Sequence, residues 1–122
     1  MSITFKTKNG KIVHDDSLKY LRKLKDNSVN LIITSPPFAL TREKAYGNKK
    51  GDEYIDWLKD FGKIFYKKLK NEGSLVIDFG GSWMPGAPAR NLHQFKIPIL
   101  FCEDLNFYLA QEFFWWNTSK MP

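Results

Sequence analysis

The sequence predicts an α/β fold, part of a doubly wound sheet with flanking helices and an amino-terminal β-hairpin. Three observations carry that expectation. Val29-Asn30-Leu31-Ile32-Ile33 and Ser74-Leu75-Val76-Ile77 are apolar runs that read as buried strands. Between them Tyr54, Trp57, Leu58, Phe61, Phe65 and Leu69 recur at helical spacing, so a long amphipathic helix connects the two strands. Strand, helix and strand then alternate again toward the end of the chain.

Taken in order, residues 3–14 alternate around Asn9-Gly10, a two-residue turn signal that predicts two short strands. Asp16 or Ser17 caps a short helix carrying Leu18, Leu21 and Leu24 on one face. A strand over 29–34 leads into a loop reaching Asp52. The long helix spans 52–70, Gly73 ends it, and a second buried strand covers 74–79. Residues 80–90 hold three glycines and two prolines and form a loop. A helix over 92–105, begun or interrupted by Pro98, and a last strand over 107–116 complete the pattern. At 122 residues this is one small domain, with a lower buried fraction than larger proteins achieve.

Thr34-Ser35-Pro36-Pro37-Phe38 follows the first buried strand, at the carboxyl end where open α/β sheets place their ligands. Each proline fixes φ near about −65° and lacks an N–H, so neither continues a central strand. Ser35 and Pro36 each precede a proline, which leaves a stiff, extended turn with free carbonyls. A hydroxyl, carbonyls and the Phe38 ring on one rigid frame suit a planar, amino-bearing ligand, such as a nucleobase flipped from a duplex. An ordinary Pro-Pro turn whose Phe38 covers the core uses the same residues.

With its surroundings, this stretch resembles motif IV of the amino-directed DNA methyltransferases, Asp/Asn/Ser-Pro-Pro-aromatic, in the serine form of the cytosine-N4 branch. Asp15-Asp16-Ser17 is similar to the family's Gly-Asp-Ser lead-in, with Asp15 in place of the usual glycine. Leu69 to Ile77 resembles the family's next strand, and Trp116-Asn117 with Lys120-Met121-Pro122 resembles its motif VIII. The resemblance covers essentially the whole chain in the family's order. It is closest to the PvuII-type modification methylases, which share Ser-Pro-Pro-Phe-Ala-Leu and the Asp78-Phe79-Gly80-Gly81 turn.

That resemblance implies a Rossmann-like methyltransferase sheet in which residues 1–122 are the catalytic-motif portion. In the family, the target-recognition region and the glycine-rich loop for S-adenosylmethionine follow motif VIII. The expectation is a site-specific cytosine-N4 DNA methyltransferase of a restriction-modification system, incomplete without a complementary half. An inactive remnant that self-associates or binds nucleic acid weakly is the alternative. An adenine-N6 enzyme is disfavoured by Ser35 in place of Asp or Asn.

The resemblance also implies roles. Ser35, Pro36, Pro37 and Phe38 form the catalytic motif. Cytosine N4 is a poor nucleophile because its lone pair is delocalised into the ring. Hydrogen bonds from its N–H groups to the Ser35 hydroxyl and the Pro36 carbonyl favour a pyramidal nitrogen poised for in-line transfer. No strong base is needed, since the proton leaves after the methyl arrives. Phe38 stacks on the flipped base, and Trp116 is expected to form the opposing wall with Trp115 turned to the core, although a buried strand alternating between two packed faces explains Phe113-Phe114-Trp115-Trp116 at least as well. Asp16, with Thr34, contacts S-adenosylmethionine, although a plain helix cap explains Asp16 equally well. Asp78-Phe79-Gly80-Gly81-Ser82 is expected to border the target site rather than cradle the cofactor, because Pro85 and Pro88 preclude an immediate helix.

Nineteen Lys and Arg against 13 Asp and Glu give a net charge of +6, which favours an acidic partner such as double-stranded DNA. Arg42, Lys44, Lys49 and Lys50 cluster in the loop after the motif, and Arg90 lies in the later loop, so phosphate contact is expected there. A solvated loop accounts for the same charges. The single Cys102 excludes an internal disulfide, no metal site is expected, and no apolar run reaches the ~18 residues of a membrane span. A cytoplasmic, DNA-associated protein of prokaryotic type follows as the expectation.

Overall fold

The computed structural model describes residues 2–37 and 51–119. Strands β1 (Ser2–Lys6) and β2 (Lys11–His14) form an antiparallel hairpin. Its turn differs from the expected Asn9-Gly10. Lys6 pairs with Lys11 and the Thr7 N–H donates to the Gly10 carbonyl at 2.7 Å, which leaves Lys8 and Asn9 as the turn residues. Neither has positive φ. The Thr7 hydroxyl instead accepts the Asn9 N–H at 3.3 Å, a local bond that stabilises the turn without a left-handed residue.

Helix α1 (Ser17–Lys23) starts where expected, with Asp16 as its N-cap accepting the Lys19 N–H at 2.8 Å. Strand β3 (Val29–Thr34) follows. Helix α2 (Gly51–Lys68) presents Tyr54, Leu58 and Phe65 as buried residues on one face. Strand β4 (Leu69–Ile77) begins directly after it, so Gly73 does not end the helix but lies within the strand. The parallel register slips between Val29 and Leu31, and a Cβ at Gly73 would stand 3.1 Å from the Val29 carbonyl. Close backbone approach at an irregularity is what glycine permits here.

Helix α3 (His93–Glu103) contains Pro98 within it rather than at a break. Asn106, at φ 62°, turns the chain after α3, so that Phe107 stacks on Phe101 at 5.5 Å. The core lies between α2 and α3: Tyr54, Leu58, Ile97, Phe101 and Leu105 are buried together, with Leu75 and Ile77 of β4 packed against them. Burial pushes the Tyr54 hydroxyl up to about 12. A Cβ at Gly62 would meet Leu105 and Phe101 side-chain atoms at 2.5 and 2.8 Å, so this glycine sets how closely α2 approaches α3.

Two cross-connections fix α1 against α2. The Asn27 and Ser28 N–H groups donate to the Lys67 and Lys68 carbonyls, and the buried Lys68 ammonium donates to the Arg22 and Leu24 carbonyls and to Asp26 at 2.6 Å. Each helix end thus has its open carbonyls satisfied by the other segment.

The expected strand over 107–116 does not form among the described residues. Beyond Phe107, which packs on Phe101, residues 108–116 are exposed, with Phe113, Phe114, Trp115 and Trp116 between 82 and 89% accessible. Trp115, expected in the core, is outside it. A strand needs a neighbour for its backbone groups, and among the described residues this segment pairs with none. The β3–β4 sheet is likewise open on one face, where Leu31, Ile33 and Val76 are exposed. Among the described residues no helix is long and apolar enough to cross a membrane.

Candidate active site

The parallel pairing of β3 with β4 aligns Thr34 with Ile77, so the residues that follow them emerge side by side. The Asp78 N–H donates to the Thr34 carbonyl at 3.0 Å and extends the ladder by one bond. The Ser35 hydroxyl then donates to Asp78 Oδ2 at 3.3 Å. Pro36 is buried and Pro37 half-buried, while Ser35 and Asp78 are exposed. The prolines anchor the turn and the polar groups face outward.

This pair has a defined chemical capacity. A carboxylate that accepts the hydroxyl's hydrogen bond enriches the Ser35 oxygen as an acceptor and leaves its lone pairs available to an external N–H. At 3.3 Å the contact is longer than an ordinary O–H···O bond. The sequence places Asp78 in a segment expected to border the target site but gives no sign of its hydrogen bond to Ser35. What the sequence does show is an acid one position beyond a strand, at the same sheet end as the Ser-Pro-Pro turn.

Asp16 lies at the start of α1, and no hydrogen bond among the described residues joins it to Ser35 or Asp78. One of its oxygens caps the helix. The other makes no hydrogen bond among the described residues, so the cap occupies only one of the two carboxylate oxygens. Next to it, desolvation pushes the Asp15 carboxyl up, and the Asp16 N–H and Lys23 ammonium more than offset this, holding it below the usual carboxylate value.

The 80–90 segment is more ordered than a plain loop. Trp83 and Arg90 form an antiparallel bridge, the Met84 N–H donates to the Ala89 carbonyl at 2.8 Å, and the Asn91 N–H donates to the Ser82 carbonyl at 2.8 Å. Met84-Pro85-Gly86-Ala87 makes the tip, with Gly86 at φ 70° and the Ala87 N–H reaching back to the Met84 carbonyl at 3.4 Å. Proline followed by a left-handed glycine is the composition of a type II turn. Arg90 Cζ lies 4.8 Å from the centre of the Trp83 ring.

Trp116 is 82% exposed and has no ring partner among the described residues. Beside it, Asn117 Oδ1 accepts the Ser119 N–H and hydroxyl at 3.0 and 2.6 Å. Phe38, Arg42, Lys44, Lys49 and Lys50 lie outside the described residues. His93 is buried beside the Tyr54 ring, 5.7 Å between centroids, and so belongs to the core. Among the described residues no group of three or more His, Cys, Asp or Glu could hold a metal ion.

Residues 29–122 match the family model described as DNA methylase, of the N6/N4 group. The chain is 47% identical to the type II methyltransferase M.PvuII of Proteus hauseri over 97% of its own length and 35% of that protein. It is 28% identical to M.SfiI of Streptomyces fimbriatus, over 88% of this chain and 30% of the relative. It is 31% identical to the DNA adenine methyltransferase YhdJ of Escherichia coli (strain K12), over 76% and 33%. The solved PvuII DNA methyltransferase, cytosine-N4-specific, superposes with a TM-score of 0.75 at 46% identity, covering 88% of this chain and 38% of that one. The chain thus spans about a third of the length of these three relatives.

Proposed function

The chain belongs to the N6/N4 family of DNA methylases, and from that premise we propose that it is the catalytic-motif portion of a cytosine-N4-specific DNA methyltransferase in a restriction-modification system. The observation that carries this reading is the Ser35 hydroxyl held against the Asp78 carboxylate at the adjoining ends of two parallel strands. A serine-form motif facing an acceptor carboxylate suits an exocyclic amine as the group to be methylated.

S-adenosylmethionine supplies, when bound, an electrophilic methyl group on a sulfonium. The donor set fits it in one respect: the second Asp16 oxygen is available to accept an adenine amino group. Ser35 and the Pro36 carbonyl accept the two N–H bonds of the target amine and turn its lone pair out of conjugation. Asp78 orients the Ser35 hydroxyl. Phe38 and Trp116 enclose the base, and Thr34 backs the cofactor edge. Arg42, Lys44, Lys49, Lys50 and Arg90 take phosphates of the duplex. The remainder of the fold, on the same polypeptide or another, covers the open face at Leu31, Ile33 and Val76. The relatives, about three times as long as their matched part, support that arrangement.

The test is transfer of labelled methyl from S-adenosylmethionine to duplex DNA containing cytosine. This chain is assayed alone and together with the complementary part of the family polypeptide. Product at cytosine N4 is expected only with both, and Ser35→Ala or Phe38→Ala in the complete assembly is expected to abolish it with duplex affinity nearly unchanged. Methylation unaffected by either substitution would overturn the assignment.

A further inference from the structure

We propose that residues 82–91 form a DNA-contact arm, in which Arg90 binds a phosphate of the strand flanking the target base and the Trp83 ring holds Arg90 in position. The inference rests on the function proposed above and names the element that meets its substrate. The arm is anchored at its root. Asn91 Nδ2 donates to Ser82 Oγ at 2.7 Å, its Oδ1 accepts the His93 N–H at 3.3 Å, and a Cβ at Gly81 would strike Gln94 of α3. The root is also near the site. Trp83 follows Asp78 by five residues, so chain geometry confines it to roughly 18 Å from the Ser35–Asp78 pair.

The tip is built differently from the root. Trp83 and Met84 are 56 and 48% exposed, and the Pro85-Gly86 turn opens into space, with nothing near a Cβ at Gly86. A rigid, exposed turn carrying large apolar groups is costly to leave in water and is suited to meeting another surface. Electrostatics selects the surface. Residues 79–102 contain no Asp or Glu, while Arg90 and Lys96 are cationic. Arg90 makes no ion pair among the described residues; its Cζ lies 4.8 Å from the centre of the Trp83 ring, within cation–π range. A cation–π contact uses none of the guanidinium N–H donors, and the planar fork of an arginine matches a phosphate. Trp83 is therefore a positioning residue and Arg90 a contact residue.

The experiment measures binding of a fluorescently labelled, cytosine-containing duplex to the full chain by anisotropy across a salt series. Arg90→Ala is expected to weaken binding several-fold and to lower the slope of log affinity against log salt by roughly one unit, the loss of one phosphate contact. Trp83→Ala should weaken binding in the same direction and Trp83→Phe should restore it. In the Arg90→Ala background, Trp83→Ala should add nothing, an outcome that a merely structural role for Trp83 would not give. Wild-type affinity and slope in Arg90→Ala would overturn the arm while leaving the methyltransferase reading intact. A folded wild-type chain that binds no duplex at any salt would likewise overturn the arm, while the methyltransferase reading stands or falls on the methyl-transfer assay of the complete assembly.

Discussion

The Ser35 hydroxyl donates to the Asp78 carboxyl group, and an amide of the same shape at position 78 separates charge from geometry. Hydrogen bonds to charged groups contribute about 1.5–3 kcal/mol, against less for neutral pairs. Asp78→Asn in the complete enzyme should therefore lower kcat by roughly one to two orders of magnitude, with KM for duplex little changed. A kcat equal to wild type would show that the carboxylate does not orient the serine. The serine and its prolines were legible in the sequence because the motif is contiguous. Asp78's role was not, because its partner lies 43 residues away and the two meet only through the register of β3 on β4. Trp115 failed as a core residue for a related reason: apolar alternation states which residues gain from burial, not whether anything is present to cover them.

Helix boundaries were easier to read than strand partners. The spacing of Tyr54, Leu58 and Phe65 gave α2 nearly its observed limits, and the Asp16 cap gave α1 its start. Gly73 misled because glycine marks both helix ends and strand irregularities, and only the close approach to Val29 tells them apart. The joint between α1 and α2 was not legible at all, since a lysine at a helix terminus gives no sign that its ammonium is buried. Lys68→Met leaves the Arg22 and Leu24 carbonyls without their charged donor. A loss of about 1–3 kcal/mol of unfolding free energy is expected by urea titration. The Lys68 ammonium also holds the Asp26 carboxyl below its ordinary value of 3.8. With a lowered folded-state value, the pair contributes stability above pH 3.8 and loses it as pH falls through that lowered value. The stability gap between wild type and Asp26→Asn is thus expected to be full at neutral pH and to close in acid.

At the level of the whole molecule, a parallel pair covered on one face is an unfinished layer, because parallel sheets occur with both faces buried. The Leu31, Ile33 and Val76 face and the unpaired Phe113–Trp116 segment are two parts of that deficit. Adding the complementary family polypeptide should shift tryptophan emission to the blue as Trp115 and Trp116 leave water. Ile33→Lys should block the shift without disturbing the α2–α3 core; an emission spectrum indifferent to the added polypeptide would count against this covering. The core and the groups of the proposed site, meanwhile, share no residues: Tyr54, Leu58, Ile97, Phe101 and Leu105 are buried, while Ser35, Asp78 and Arg90 are on the surface. For inheritance this means two kinds of allele, one altering how much protein survives in the cell and the other altering what the surviving protein does. Selection can act on the second without first having to repair the first.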